Sequence, residues 1–563
     1  MELLPGVIPV AILTALVVAN ACAPDVTDDF ATMNDDAPPT PRAVNSSPAP
    51  TAAPTPAPGI GAPLPPRTGR FCLMALGTYG SYKLVAGGPI DLVIISPEDT
   101  PREALARARR DHPKAEVFAY LNTMDIILSR AGEPASFWKE HETWFLHDGN
   151  GARVRVRMDK YHDALSRYAM NVAEPGYQEY LGEKVSRMFE AGYDGVQLDN
   201  VETDYSYRPL QVGRFMSALP VEMTAEKWYA GELAMLRTIR QSATSAGHAD
   251  REIIFNHMRA GEPERALEYL SAVEGANAET WMDVKVQPGG KWGWKARFDV
   301  ARSAALAGKR TNLLCAATAL GPEEALFDFA SYLMTIVSDR NTFWYGRPYR
   351  PEEMPWYPFY DVRLGQPTTN PYAVAGSAAY RRDFERGVVL VNPMDGPVTV
   401  DLGGRYWDDA WDETGGGYVD GRGGAILMVP DGAPPPRLVL EAESCAAGSP
   451  SFRRIDSRDR SGGATVQLTS TKESCALPAD IAPGRWRVVL DGEGMGRDSD
   501  AVFFVAGSQS RRVGFGGSRR QVLDIDVKEG LDAVGLRAAE AGVIVDRIVL
   551  IHLDGLGGLG VNP

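Results

Sequence analysis

The chain has 563 residues, too many for one hydrophobic core, so it implies three or four domains. At 44% hydrophobic and 23% charged residues, most of it has the composition of a globular protein. A net charge of −15 and the lack of any strongly basic run argue against nucleic acid or an anionic membrane surface as a partner, and disfavour polyanionic substrates.

An apolar stretch from Leu3, with Ile12 to Val18 at its centre, ends in Ala19-Asn20-Ala21-Cys22. Residues 1–22 read as an export signal, too short for a membrane span, although no Lys or Arg precedes the apolar core. Cys22 after small residues looks like a lipoprotein acylation site, but Ala19 stands where a larger aliphatic is usual. Lipidation and simple secretion both stay open, and any membrane contact is expected only through such an anchor. Residues 23–67 carry runs such as PAPTAAPTPAPG, with few apolar side chains to bury, and are expected to be a disordered linker.

From Arg70 the pattern changes. Eight strand-like segments follow: Phe71–Gly77, Asp91–Pro97, Glu116–Asn122, Asp194–Asn200, Arg251–His257, Ala272–Glu279, Thr311–Thr318 and Asn341–Gly346. Helical patterns separate most of them, including Pro101–His112, Gly176–Ala191, Thr224–Gly247, Glu262–Leu270, Lys291–Gly308 and Pro322–Asp339. Strands alternating with helices imply a parallel sheet, and eight of them over residues 68–355 suit a (β/α)8 TIM barrel. The long excursion from Thr123 to Pro175 is expected to lie over the active-site face. Residues 356–432 read as a connection and a small antiparallel β domain, with short strands at Val388–Asn392 and Val398–Leu402. Residues 433–554 repeat short alternating strands and read as a C-terminal β-sandwich. Residues 555–563 are a flexible tail. The fold class is therefore α/β, with two β modules appended.

The stretch AGYDGVQLDNVETD, Ala191 to Asp204, organises the barrel. Alternation puts Val196 and Leu198 on one face of the strand, Gln197 and Asp199 on the other. Asp199 then points inward at the strand's C-terminal end, where the chemistry of parallel barrels is done. Residues 274–279 (EGANAE) echo residues 194–199 (DGVQLD), matching Asp194 with Glu274, Gly195 with Gly275 and Asp199 with Glu279. Two strands would thus present acids at one height, and a carboxyl pair facing a cleft is what glycosidic bond cleavage needs. Strand-end acids also cap helices and build structural networks.

Further polar residues end the strands around this pair. Asn122, Asn200, Asn256 and His257 are candidates for binding sugar hydroxyls, with satisfied structural hydrogen bonds as the alternative. Asp125, Glu202 and Asp204 are more acids near the face; Asp125 and Glu202 are taken as substrate-binding candidates, and Glu202 is also the reserve candidate for the acid role. Trp281, Trp292, Trp294, Trp344 and Tyr345 cluster after the sixth and eighth strands. Such rings pack against the C–H faces of sugars, and Trp281 and Trp344 are taken as substrate-binding candidates.

Of five cysteines, Cys72 and Cys315 fall in barrel strands as buried thiols, and Cys445 and Cys475 share the last module, where an exported protein can join them. No Cys–Cys or Cys–His cluster has zinc spacing, and no paired His motif supports a metal-dependent hydrolase.

The run from Val117 to Trp281 resembles the glycoside hydrolase-like family numbered fifteen, through AYLNTMD, WFLHDGNG, GYDGVQLDNV and VEGANAETW. LGQP followed by RRDFERGVVLVNP is similar to that family's passage from barrel to β domain. The DG-x-x-LDN strand also occurs in polygalactosaminidase-like and α-galactosidase-like barrels; in the α-galactosidase-like ones the two catalytic acids sit on strands four and six. The resemblance therefore implies a hydrolase of a poly- or oligosaccharide, with Asp199 and Glu279 as its catalytic pair, retention by analogy, and no organic cofactor. A non-catalytic saccharide-binding surface protein on the same scaffold is the alternative. The segment from LEAES to VDRIVLIHLDG looks like carbohydrate-binding modules of the jelly-roll type. Those often hold a structural calcium, and Glu441, Glu443 and Asp546 occupy matching places. The whole reads as a secreted or outer-surface lipoprotein of a bacterium.

Overall fold

The computed structural model describes residues 66–553, apart from 76–84, 87, 98–103, 129–132, 157–166, 203–222, 259, 283–287, 318–319, 348–349, 351, 409–411, 431–436, 448–450, 457–463, 472–473, 495–500 and 516–519. The export signal, Cys22, nearly all of the linker, Asp204 and the tail lie outside the described residues.

Eight parallel strands form one sheet in chain order: β1 Cys72–Ala75, β2 Leu92–Ile95, β3 Glu116–Asn122, β4 Gly195–Asp199, β5 Glu252–Phe255, β6 Gly275–Ala278, β7 Arg310–Ala316 and β8 Asn341–Gly346. A parallel bridge between Phe71 and Phe343 brings the last strand back to the first. Helices α1 Ala104–Asp111, α2 Pro175–Glu190, α3 Ala225–Ser245, α4 Pro263–Ala272, α5 Trp294–Leu306 and α6 Pro322–Thr335 pack outside. This is the (β/α)8 barrel the sequence pattern implies, with β3 and β8 falling on their expected bounds.

Local signals explain the element ends. α3 starts where Thr224 accepts a hydrogen bond from the Lys227 N–H at 3.3 Å. α6 opens with Pro322, followed by Glu323 and Glu324 in its first turn, where acids favour the helix dipole. α2 runs out at Gly192, whose φ of 100° suits glycine, and the chain turns directly into β4. At Gly195 a Cβ would lie 2.4 Å from the Phe118 ring, so the start of β4 can only be glycine without displacing that ring.

The echo between Asp194 and Glu274 has a structural cause. Asp194 accepts a hydrogen bond from Val117 N at 2.9 Å, and Glu274 accepts one from Ile253 N at 2.9 Å. Each acid thus ties its strand to the preceding one at the N-terminal end. Each also meets an arginine, Arg251 with Asp194 and Arg240 with Glu274. The same end is closed from inside by buried Arg310, which donates both to Glu116 at 2.9 Å and to Glu252. One guanidinium therefore links β7 to β3 and β5.

The excursion after β3 pairs Asp125–Ile127 antiparallel with Arg167–Ala169 and packs Phe137, Trp138 and Trp144 against Tyr180 of α2. The small β domain is a six-stranded antiparallel sheet. Its longest strand, Val398–Trp407, ends in Trp407, which packs on Val489, Val549, Ile551 and Leu553 of the sandwich. Arg520 of the sandwich adds ion pairs to Asp408 at 2.7 Å and to Asp491 at 2.5 Å. The sandwich has a six-stranded and a four-stranded antiparallel sheet, and Trp486 lies buried in it. Cys445 and Cys475 are disulfide-bonded with a Cα–Cα distance of 5.5 Å, while Cys72 and Cys315 are buried free thiols.

The proposed calcium acids are placed as follows. Glu441 pairs in register with Arg547, next to Asp546, and Glu443 follows in the 3-10 turn Ala442–Ala447. Among the described residues, no group of three or more His, Cys, Asp or Glu is disposed to hold a metal ion. Among the described residues, too, no helix is long and apolar enough to cross a membrane.

Arg310 is buried with two carboxylates on it; Arg310→Ala takes this cation from Glu116 and leaves Glu252 with Arg340 alone, at 2.8 Å. We expect a loss of about 1–3 kcal/mol in unfolding free energy, measured by urea denaturation.

Candidate active site

Asp199 is the last residue of β4 and lies in register with Asn122 of β3. With Gly195 and Gln197 it is on the inward side of the strand, while Val196 and Leu198 are fully buried on the other. Three donors converge on its carboxyl group. Tyr120 Oη donates to Oδ2 at 2.5 Å, Asn200 Nδ2 to Oδ2 at 3.2 Å, and Asn256 Nδ2 to Oδ1 at 2.8 Å. Three donors on one carboxyl group are best served by an ionised carboxylate, which accepts and never donates. Burial, and then the neighbouring Asp199, push the Tyr120 phenol well above its ordinary range, which keeps it protonated and donating.

Glu279 follows β6 by one residue, and its side chain is 41% exposed, open to the face of the barrel. Its Oε2 lies 3.2 Å from His257 Nε2. The other ring nitrogen, Nδ1, lies 3.1 Å from Glu202 Oε2, and the Glu202 side chain is 0% exposed. Glu202 is fixed in turn: its backbone N–H donates to Glu232 Oε1 at 3.0 Å, and Tyr269 Oη donates to Glu232 Oε2 at 3.0 Å. A chain of contacts thus runs from the protein interior through His257 to Glu279.

β5 lies between β4 and β6, and its end serves both acids. Asn256 binds Asp199, and the next residue, His257, meets Glu279. Adjacent residues of an extended strand point to opposite sides, so an ordinary strand cannot do this. His257 escapes that rule by its φ of 74°. Asn200 and Thr280, just past β4 and β6, are also left-handed, with φ of 64° and 52°. Asn and His tolerate this region, whereas a β-branched Thr there is a strained conformation that the surroundings must hold. Three of the four non-glycine residues with positive φ among the described residues therefore stand at this one face.

The remaining candidates divide between brace and core. Asn122 Oδ1 accepts from Asn200 Nδ2 at 3.0 Å and from Met124 N at 3.1 Å, and its Nδ2 donates to Asp125 Oδ1 at 3.2 Å. Asp125 is buried and ion-paired with Arg167. Thr123 donates both N–H, at 3.1 Å, and Oγ1, at 2.8 Å, to the Asp199 carbonyl. Asn122 and Asp125 thus brace the ends of β3 and β4 rather than line an open cleft. Trp281 and Trp344, expected as cleft walls, are only 3% and 4% exposed. Their indole N–H groups donate to the carbonyls of Arg297 and Glu353, both at 3.1 Å, which makes both rings core. Trp294 and Tyr345 are buried as well, and of that aromatic cluster only Trp292 is exposed.

Sequence reasoning missed Tyr120. The signal was present: Glu116, Phe118, Tyr120 and Asn122 share one side of β3, and Tyr120 stands in register with Gln197, two residues before Asp199. The link from Glu202 through His257 to Glu279 carried no sequence signal, because it needs a left-handed residue after β5.

With this site and fold in place, the comparison with known families is direct. Residues 109–388, from the end of α1 to the strand at Gly387–Asn392, match the family described as hypothetical glycosyl hydrolase family 15. The match covers most of the barrel, as its motifs implied, and supports a glycoside hydrolase. No curated protein matches the chain. Among solved structures, Arthrobacter globiformis T6 isomalto-dextranase complexed with panose is similar at 12% identity and a TM-score of 0.38, over 87% of this chain and 99% of that one. The glycoside hydrolase domain of PelA from Pseudomonas aeruginosa is similar at 14% identity and a TM-score of 0.30, over 50% of this chain and 94% of that one. The carbohydrate binding module from Cellvibrio mixtus lichenase 5A in complex with cellotriose is similar at 12% identity and a TM-score of 0.18, over 20% of this chain and 95% of that one. Similarities at this level leave the functional reading to the family match and to the site itself.

Glu202→Ala removes the buried partner of His257 Nδ1. We expect a loss of about 1–3 kcal/mol in unfolding free energy, the cost of leaving one buried polar group unmatched, measured by urea denaturation.

Proposed function

We propose that the protein hydrolyses O-glycosidic bonds of a poly- or oligosaccharide outside the cell, with retention of anomeric configuration, through Asp199 as nucleophile and Glu279 as general acid and base. The observation that carries this reading is the division of environments. Asp199 is held by three donors, whereas Glu279 faces an imidazole and solvent. Two carboxyl groups with different surroundings suit two different roles.

In this assignment His257 is the neutral tautomer with its proton on Nδ1. A neutral imidazole has one N–H and one lone pair. With Nδ1–H donated to buried Glu202, Nε2 is left to accept, and the Glu279 carboxyl group is then the donor across their 3.2 Å contact. His257 is thus a positioning residue that holds the acid's proton in place.

In the first half-reaction an Asp199 carboxylate oxygen attacks the anomeric carbon while the bond to the leaving oxygen breaks. Glu279 gives that oxygen its proton. In the second, the ionised Glu279 takes a proton from a water molecule whose oxygen attacks the same carbon and releases Asp199. Tyr120, Asn200 and Asn256 hold the nucleophile's orientation throughout, and Tyr120 and Asn256 act on different oxygens of it. Export to the substrate is read from the apolar stretch before Cys22.

The test is turnover of a panel of polysaccharides and aryl glycosides by wild type, Asp199→Ala and Glu279→Ala. Asp199→Ala is expected to abolish turnover on every substrate. Glu279→Ala is expected to lower kcat on the natural glycan by about 10²–10⁴-fold, and far less on glycosides whose leaving group needs no proton. Wild-type rates from both variants would refute the assignment, and saccharide binding without turnover by wild type would make the protein a binding protein.

A further inference from the structure

Trp292 is the single exposed tryptophan among the described residues, at 41% exposure. A lone exposed apolar side chain is ordinary on a protein surface. Three features set this one apart. It stands at the tip of the tight turn Gly289-Gly290-Lys291-Trp292-Gly293, where Gly290 has a φ of 85° and Gly293 N–H donates to the Gly290 carbonyl at 3.1 Å. Its ring lies against Gly261 of the loop after β5, where a Cβ would approach the indole to 2.4 Å. The turn is tied to that loop by Lys291, whose Nζ donates to Glu262 Oε1 at 2.9 Å and stands 5.4 Å from the Trp292 ring centre.

The turn is also tied to the acid. Arg297 donates Nε to the Trp292 carbonyl at 2.8 Å, and Nη1 to the carbonyls of Trp281, at 2.8 Å, and Thr280. Thr280 is the residue after Glu279. One guanidinium therefore holds the turn that carries Trp292 to the strained corner that carries Glu279. The ring rests against Gly261 and stands beside Lys291, and Trp292 remains 41% exposed.

We propose that Trp292 is a stacking platform for a pyranose ring on the leaving-group side of the scissile bond. An indole presents a flat apolar surface with an electron-rich face, and the axial C–H groups of a pyranose pack against such a face. The side is assigned by the acid: Glu279 delivers its proton to the leaving oxygen, so the saccharide next to Glu279 is the one that departs. The assignment of side rests on the reading of Glu279 given above. The platform itself needs only that the cleft takes a saccharide.

The test pairs binding with turnover in the full chain. Calorimetric titration of the Asp199→Asn variant with neutral and amino-sugar oligosaccharides is repeated with Trp292→Ala, Trp292→Phe and Gly261→Ala added, and KM is measured for the same substitutions in the active chain. We expect Trp292→Ala to weaken binding and raise KM by about tenfold, in the range of one aromatic contact. Trp292→Phe is expected to retain most of the affinity. Gly261→Ala, which pushes the ring from its seat, is expected to weaken binding to a lesser degree. Thermal unfolding checks that each variant keeps its fold, and Gly261→Ala carries the test if Trp292→Ala does not. Turnover by wild type with KM and affinity unchanged in Trp292→Ala and Gly261→Ala overturns the platform and leaves the hydrolase reading standing. Trp292-dependent binding without turnover keeps the platform and overturns the hydrolase reading. Neither binding nor turnover by any chain overturns both.

Discussion

The site depends on one pair of neighbours at the end of β5. Asn256 donates to Asp199 and His257 meets Glu279, so a single dipeptide spans the two carboxyl groups that the flanking strands present. Consecutive side chains can both face the barrel mouth only because His257 is left-handed. That conformation has a cost, and the contact of Nδ1 with buried Glu202 helps to hold it. Each of these contacts restricts the orientation of an acid, and orientation is worth orders of magnitude in rate when reacting atoms must be aligned.

The barrel supports this arrangement with polar groups from bottom to top. At the N-terminal end Arg310 joins Glu116 and Glu252, and Asp194 and Glu274 accept strand N–H groups. Midway, Asn312 donates to Asn277 at 2.7 Å and accepts from Thr342 at 2.7 Å, all three fully or almost fully buried. At the C-terminal end Asn122, Asn200 and Tyr120 surround Asp199. Buried polar networks are expensive unless satisfied, and where satisfied they impose a single geometry. An interior of this kind trades apolar burial for polar ties between strands.

Much of this was legible in the sequence because it is periodic. Eight alternations of strand and helix gave the barrel, and inward parity with the echo of DGVQLD in EGANAE placed Asp199 and Glu279 at one end of it. The echo's first acids, Asp194 and Glu274, were legible only as a coincidence of spacing; the structure gives them the separate task of tying neighbouring strands. What could not be read was what periodicity does not encode. The role of Tyr120 depends on register between strands far apart in the chain. The link through His257 depends on a left-handed residue. Trp281 and Trp344 look alike with Trp292 in sequence, and only the packing of loops decides that the first two are core and the third is exposed. Asn122 reads as a sugar ligand because it ends a strand, and Asp125 because it lies near the face, yet they bond to each other and to Asn200 and Arg167.

The central claim is that Asp199 attacks the anomeric carbon, and a covalent adduct tests it most directly. The chain is incubated with a panel of 2-deoxy-2-fluoro glycosides carrying good leaving groups, digested, and its peptides are weighed by mass spectrometry. The account predicts a glycosyl adduct on the peptide containing Asp199, absent from Asp199→Asn. An adduct on Glu279, or glycan turnover that persists in Asp199→Asn, would contradict it.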